Sequence, residues 1–272
     1  MKTSPAMKTS PTFARLFTIA VGFISAVLAI PLHAAPANGK AVVIKVVGSA
    51  SYATAKRGGG AVQPGMIFRQ GTRIVTGPGS SVVLDLGHNG ETLVVRPDTT
   101  LSLDTLDLVP VGTDKAATTQ VDLQRGSMGF SVKKLSTASK YEVRTPNGTA
   151  GIRGSEGVIY ATGVFLCLDG TFLVSVKNLS TGVVETFTAT AGNTVDASGP
   201  QVVLTPISQA DFDRQKSAIG TATKAVVDFR TPAGTTAIST GYQAIYPFFP
   251  TNSSTNSPPR PQDPGPNNYS RP

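Results

Sequence analysis

The stretch Arg144-Thr-Pro-Asn-Gly-Thr-Ala-Gly-Ile-Arg-Gly-Ser155 lies between two strand-like runs and decides how the chain is read. Glycine admits positive φ and close approach of neighbouring backbone, while proline fixes φ and removes a donor. The segment therefore specifies backbone shape, not reaction chemistry. A second copy, Arg230-Thr-Pro-Ala-Gly-Thr-Thr-Ala-Ile-Ser-Thr240, keeps Arg, Thr, Pro, Gly, Thr and Ile in register. The candidate interaction or turn residues are Arg144, Thr145, Pro146, Gly148, Arg153 and Gly154 in the first copy, with Arg230, Thr231, Pro232 and Gly234 in the second. Either arginine could grip a carboxylate or phosphate on a partner. Both copies also place an acid two residues earlier, Glu142 and Asp228, which favours a local ion pair.

On either side of the first copy, from Lys40 to about Leu204, the chain is short-period, β-branched and punctuated by turns. Ala41–Val47, Ala50–Ala55, Thr72–Thr76, Ser81–Leu86 and Glu91–Arg96 read as strands. Leu101–Leu106 alternates with the period of two that marks a half-buried strand. Gly58–Gly60 reads as flexible linkage and Pro110–Thr119 as a loose loop. Further strands are expected at Gln120–Gln124, Gly126–Val132, Tyr141–Arg144, Val158–Tyr160, Val164–Leu168, Phe172–Val176, Val183–Ala189 and Val202–Leu204. No helical crossover separates them, so the class is all-β: a multi-stranded sandwich, roll or solenoid, and not a parallel α/β sheet. One short helix is expected after Ser208, which has capping-box spacing to Asp211, and Gly220 can end it. Ala225–Phe229 then reads as a further strand. From Pro247 the composition collapses into Pro, Asn, Ser and Thr, which cannot bury a core and predicts a disordered or extended tail.

The N-terminus has the pattern of an export signal. Lys2, Lys8 and Arg15 precede an apolar run from Leu16 to Ile30, and Pro31-Leu-His-Ala34 offers a cleavage point before Ala35. The run is shorter than the ~20 residues that span a bilayer comfortably, and retention as an anchor is the competing reading. No later stretch is long and apolar enough to cross. The expected organisation is a signal peptide at 1–34, a β domain at 40–205, a helix-plus-strand extension at 206–245 packing on it, and a tail at 246–272. The formal charge is +8, to which the three leader cations contribute. The remaining basic residues are dispersed, which argues against a nucleic-acid partner.

Chemistry is hard to assemble from what is left. Asp85, His88, Asn89 and Glu91 surround a turn rich in oxygen ligands, but the spacing lacks a calcium loop's alternating acids, and a solvated hairpin is the reading. Zinc finds one histidine and one cysteine in the mature chain. Ser155 lacks a nucleophile-elbow setting, and the carboxylates are scattered. No catalytic residue, cofactor or metal is assigned. Cys167, in an apolar run, reads as a buried thiol and leaves no intramolecular disulfide.

The ordered motifs Gly71-Thr-Arg-Ile-Val-Thr-Gly-Pro-Gly-Ser-Ser81, Arg96-Pro-Asp-Thr-Thr-Leu101, Gln124-Arg-Gly-Ser-Met128, Arg144-Thr-Pro-Asn-Gly148, Ala150-Gly-Ile-Arg-Gly-Ser155, Asp169-Gly-Thr171 and Ala191-Gly-Asn-Thr-Val195 resemble a FecR-type domain over roughly residues 40–200. The resemblance implies an all-β module outside the bacterial inner membrane, which in the namesake regulators senses a transporter and signals to a sigma-factor-binding segment. About 15 residues precede the apolar run here, far too few for that cytoplasmic segment. A freestanding exported domain that binds a protein or an envelope polysaccharide is therefore the expectation, with a membrane-coupled sensor as the alternative and an envelope hydrolase as the least favoured. Its oligomeric state is not legible. N-terminal sequencing of the envelope form is expected to begin at Ala35; an intact Met1 or Met7 would support the anchored alternative.

Overall fold

A computed structural model describes residues 37–55, 58–112, 114–177 and 182–231. Strands β1 (Ala37–Asn38) and β2 (Ala41–Val47) are followed by the antiparallel pair β3 (Ala50–Thr54) and β4 (Gly58–Ala61). Next come β5 (Ile67–Phe68), β6 (Thr72–Thr76), β7 (Ser81–Asp85) and, after a 3-10 turn at Gly87–Asn89, β8 (Thr92–Val95). The long hairpin β9 (Thr100–Val111) and β10 (Asp114–Arg125) precedes β11 (Ser127–Ser131), β12 (Lys140–Thr145) and β13 (Gly148–Ile152). Then follow β14 (Glu156–Tyr160), β15 (Val164–Asp169), β16 (Thr171–Lys177) and β17 (Val184–Thr190). The short β18 (Asn193–Asp196), β19 (Val203–Pro206) and helix α1 (Gln209–Arg230) complete the described chain. Compactness divides the protein at Val226. The first unit holds both sheets and the helix to that point; of the second, residues 227–231 are described.

The strands form two sheets. The first has the order β17-β16-β13-β12-β10-β9-β6-β3-β4, with β1 beside β9. The second has the order β19-β18-β15-β14-β11-β8-β7-β2-β5. Neighbours pair antiparallel except β10 and β12, which run parallel because the chain crosses to the second sheet as β11 before it returns. Alternation sets the layers. Ile74, Leu101, Leu103, Val121, Val143 and Val174 point inward from the first sheet, and Leu84, Leu93, Val95, Phe130, Phe165 and Val195 meet them from the second in one buried cluster. Phe130 and Phe172 meet edge-on across the layers with centroids 5.7 Å apart. Each such side chain stabilises the fold by roughly 1.5–3 kcal/mol of burial, offset by the entropy of ordering the chain.

Glycine occupies the corners at which the chain changes sheet. Gly48, Gly65, Gly71, Gly79, Gly126, Gly154, Gly170 and Gly192 all have positive φ and lie between strands of opposite sheets. At the β10–β11 corner a Cβ on Gly126 would fall 2.3 Å from Thr99 Oγ1 and 2.7 Å from the Asp98 carbonyl. Thr99 Oγ1 accepts from the Ser127 amide at 3.0 Å, and the Thr99 amide donates to Thr76 Oγ1 at 3.0 Å. Asp98, the one described non-glycine with positive φ, turns the β8–β9 corner alongside. Thus the Arg96–Leu101 and Gln124–Met128 motifs are two halves of a single corner.

Helix α1 covers the outer face of the second sheet. Its buried stripe, Gln215, Ile219, Ala222 and Val226, recurs every three or four residues. Ile219 packs with Val158, Leu166 and Leu168, while Ala222 and Val226 pack with Val83. Gly129 of β11 makes the seat: a Cβ there would lie 3.2 Å from Ile219 Cγ1. Arg96 donates to Gln215 Oε1, and Lys216 Nζ reaches Glu156 Oε2 and Asp169 Oδ2, each at 3.3 Å. At the helix start the Asp211 amide donates to Ser208 Oγ at 3.2 Å, the first half of the expected box, while the Asp211 carboxylate accepts from the Ser208 hydroxyl at 2.8 Å and not from its amide.

The structure corrects several local expectations. Residues 225–229 are helical, not a strand, because the packed stripe continues to Val226 and outweighs the ~1 kcal/mol cost of passing through Gly220. Gly58–Gly60 belongs to β4, held by pairing with β3, and Pro110–Thr119 lies mostly within the β9–β10 hairpin. Part of the glycine-punctuated stretch is itself a strand, β13. The signal segment and the Pro-rich tail lie outside the described residues.

The corner predicts a contrast between two glycines. Gly126→Ala must displace Thr99 and adopt a strained φ, and is expected to cost about 2–4 kcal/mol. Gly112→Ala, at φ 60° with nothing within 4 Å of its Cβ, should cost about 1 kcal/mol. Urea midpoints of the two variants check this; equal losses would remove the corner from the account.

Candidate functional site

With the second sheet's outer face under α1, the first sheet's outer face is the broad polar surface among the described residues. Cross-strand register lines up a row across it. Arg73 of β6 pairs with Ser102 of β9, Ser102 with Asp122 of β10, and Asp122 with Arg144 of β12. Arg144 pairs with Thr149 of β13, which pairs with Ser175 of β16, which pairs with Thr186 of β17. At the ~4.8 Å spacing of strands this row is about 29 Å long. A neighbouring row runs from Gln120 through Glu142, Gly151 and Leu173 to Thr188. Leu173 stands 52% exposed among these polar neighbours.

Near the centre of this face Glu142 gathers two cations. Glu142 accepts from Arg144 Nε at 3.0 Å and pairs with Lys140 Nζ at 2.8 Å. The Gln120 amide, with its oxygen toward Arg144, accepts from Nε at 2.9 Å. The hydrogen bond from Lys140 holds the Glu142 carboxyl below its ordinary range; partial burial opposes this, and Arg144 reinforces it. Asp104 is pushed upward, first by burial and then by the Asp122 charge, against the pull of Arg144. Ser175 and Thr186 hydroxyls bond at 3.1 Å. Among these groups none forms a nucleophile–base pair.

A cleft of about 340 Å³ adjoins the row, walled by Thr145, Asn147, Thr149, Ser175 and Lys177 among others. Its rim is the first copy of the repeated motif. Thr145 Oγ1 donates to the Gly148 carbonyl at 3.0 Å and accepts from its amide at 3.1 Å, and Asn147 Nδ2 donates to the Thr162 carbonyl at 2.6 Å. Gly148 is needed because a Cβ there would meet Val176 Cγ1 at 2.7 Å. A second cleft of about 380 Å³ lies between the start of α1 and the second sheet, near Tyr160, Ile207 and Asp211, where Asp211 is already paired with Arg214.

Of the residues singled out from sequence, Arg144, Thr145, Pro146 and Gly148 meet at this cleft and row. Arg153 is exposed beyond β13, and Gly154 forms a corner against the Lys134 backbone. Arg230 ends the helix and the Thr231 amide donates to the Val227 carbonyl at 3.0 Å, so the two copies do not share a conformation. Pro232 and Gly234 lie outside the described residues. Sequence missed Arg73, Ser102, Asp122, Thr149, Ser175 and Thr186. Period-two alternation marks some of them as outward-facing, but only register aligns them.

The turn at His88 joins the β7–β8 hairpin as expected, but it is largely buried and not solvated. Asp85 and Asn89 are buried; Asp85 Oδ1 accepts from the Gly87 amide at 2.7 Å. Asn89 Nδ2 donates to the Asp107 and Thr118 carbonyls, and Lys133 pairs with Glu91. The Asn89 amide group thus ties the turn to the β9–β10 hairpin, while its Oδ1 is buried without a hydrogen-bond partner. Among the described residues no three His, Cys, Asp or Glu side chains are placed to hold a metal ion. Cys167 is buried, which raises its thiol to about 11, and its Sγ donates toward the Gly170 carbonyl at 3.4 Å. No described helix is long and apolar enough to cross a membrane.

This architecture, two glycine-cornered sheets with hairpins alternating between them, is that of an all-β module. Residues 72–171, from β6 to the start of β16, match the FecR protein family. The match lies within the wider span, roughly residues 40–200, over which the motifs resemble a FecR-type domain. Two crystal structures of a candidate anti-sigma factor from Parabacteroides distasonis are similar, each with 13% identity and a TM-score of 0.37. Each match covers 49% of this chain and 59% of that protein. Comparison with curated proteins gives no match.

The Glu142 cluster carries a pH signature. A carboxyl depressed in the folded state contributes stability above its ordinary value of 4.5 and loses it as pH falls through the lower folded value. Glu142→Gln is therefore expected to lower the urea midpoint at pH 7, with the gap from wild type closing below pH 4.5. A gap that stays constant to pH 3 would show that the cluster contributes no linked stability.

Proposed function

We propose that this protein is a non-enzymatic, exported FecR-like module that binds a protein or envelope-polysaccharide partner through the open face of the first sheet. The observation that carries the reading is the asymmetry of the two outer faces. One is apolar and sealed by α1; the other is a flat polar surface with a ligand-sized cleft at the first Arg-Thr-Pro motif. Arg144, Thr149 and Ser175 would supply the central contacts, and Leu173 an apolar one. Neutral hydroxyls flanked by a few charges of both signs suit an extended partner read along several strands, not a small anion gripped at one point.

The FecR match favours a second reading, a sensor outside the membrane that passes a partner's state to a membrane component. The two differ in attachment. A free module leaves the membrane fraction in high salt, whereas an anchored sensor needs detergent.

Substituting Thr149→Arg together with Ser175→Arg places bulk and charge at the centre of the row without touching the core. Retention of the purified protein on immobilised envelope protein or on cell-wall polysaccharide is expected to fall about tenfold or more, equivalent to ~1.4 kcal/mol, with an unchanged circular dichroism spectrum. Undiminished retention by the double variant would remove the binding role from this face.

A further inference from the structure

We propose that β17 is a self-association edge, through which two copies of this chain join their first sheets into one continuous sheet about a two-fold axis. This goes beyond the binding face described above and does not depend on it.

The four sheet edges are not equivalent. At one end of the sandwich the edges are β4, four residues and mostly glycine, and β5, two residues. Shortness and a lack of side chains make both poor templates. At the other end β19 stops at Pro206, which cannot donate in a ladder. That leaves β17, seven residues without proline, with β16 as its only sheet neighbour among the described residues. Its sequence, Val184-Glu-Thr-Phe-Thr-Ala-Thr190, is β-branched on the outward side, and Val184 is 65% exposed.

The strand is complementary to itself around Phe187. In an antiparallel pair centred there, Phe187 lies opposite Phe187 of the second copy, and Thr186 opposite Thr188. Glu185 lies opposite Ala189 and Val184 opposite Thr190. Opposed residues share a face, so the inward set stays inward: Glu185, Phe187 and Ala189 pair across from Val176, Val174 and Phe172 of β16. Phe187 packs against the main core yet remains only partly buried, and its counterpart would cover it. Aromatic and Thr–Thr pairs are favourable cross-strand partners. The two Glu185 carboxylates would stand about 14 Å apart, so no like charges oppose each other. The same axis brings the two β19 edges to one seam, where Val203 and Leu204 are 50% and 51% exposed. An isologous contact of this kind closes at two copies and does not propagate into a fibre.

The test uses the full chain. Sedimentation over a hundredfold concentration range is expected to show a monomer converting to a dimer. Thr186→Lys combined with Thr188→Lys sets lysine against lysine at two rungs and is expected to leave a monomer with the wild-type circular dichroism spectrum. Register is tested separately. Opposed Cα atoms in an antiparallel pair are ~4.5–5.5 Å apart, within disulfide reach. Thr186→Cys and Thr188→Cys proteins should therefore cross-link when mixed under mild oxidation, and neither should do so alone. A monomer at every concentration, a dimer that survives the lysine pair, or cross-linking as strong in each single variant as in the mixture would each overturn the proposal.

Discussion

The structure depends on the chain's ability to turn between two sheets in very few residues. Each crossing must bring the backbone round with left-handed torsions while carbonyls and side chains crowd the inside of the bend. At Gly126 a side chain would collide with Thr99 and the Asp98 carbonyl, and at Gly170 one would lie 2.7 Å from the Gly154 carbonyl. Only when the corners close do the inward residues of successive hairpins face each other, so the hydrophobic core is available only to a chain with these bends. The hydroxyls of Thr76 and Thr99 then satisfy backbone groups that the bends would otherwise leave buried without partners.

The architecture was legible where the signal is local. Alternation in Leu101–Leu106 gave a strand in nearly the right place, and Ser208 with Asp211 marked the helix start, whereas Asp169-Gly170, by composition a hairpin turn, carries the chain from one sheet to the other. Errors arose where pairing overrides composition. Three glycines in β4 looked flexible, but β3 holds them; Val226 and Val227 favour a strand by propensity, yet both are helical, Val226 as the last residue of the buried stripe. Of the candidate site, Arg144, Thr145 and Gly148 were visible because a repeat exposed them. Ser102, Asp122, Thr149 and Ser175 were not, since their alignment follows from the register of β9, β10, β12, β13 and β16 and from the β9–β10 bulge at Gln120–Val121. No single-strand pattern contains that information.

The helix gives the two sides of the sandwich different roles. Without α1, Val83, Val94, Val158 and Leu166 would present an apolar surface to water. Ile219 on Gly129, together with the Lys216 contacts to Glu156 and Asp169, fixes the helix in one register. Burial raises the Glu156 carboxyl, and Lys216 pulls the other way. The clamp is thus a compensated charge, worth more for alignment than for energy.

The parallel pair of β10 and β12 has a kinetic implication. Between these neighbours the chain visits the opposite layer as β11, so their ladder closes a longer loop than a hairpin does. A polypeptide threaded outward from its N-terminus can meet that demand in sequence, closing one coil before the next is delivered. Refolding from denaturant offers no such order. Chains released all at once are then expected to collapse more slowly into the native topology than chains that emerge vectorially.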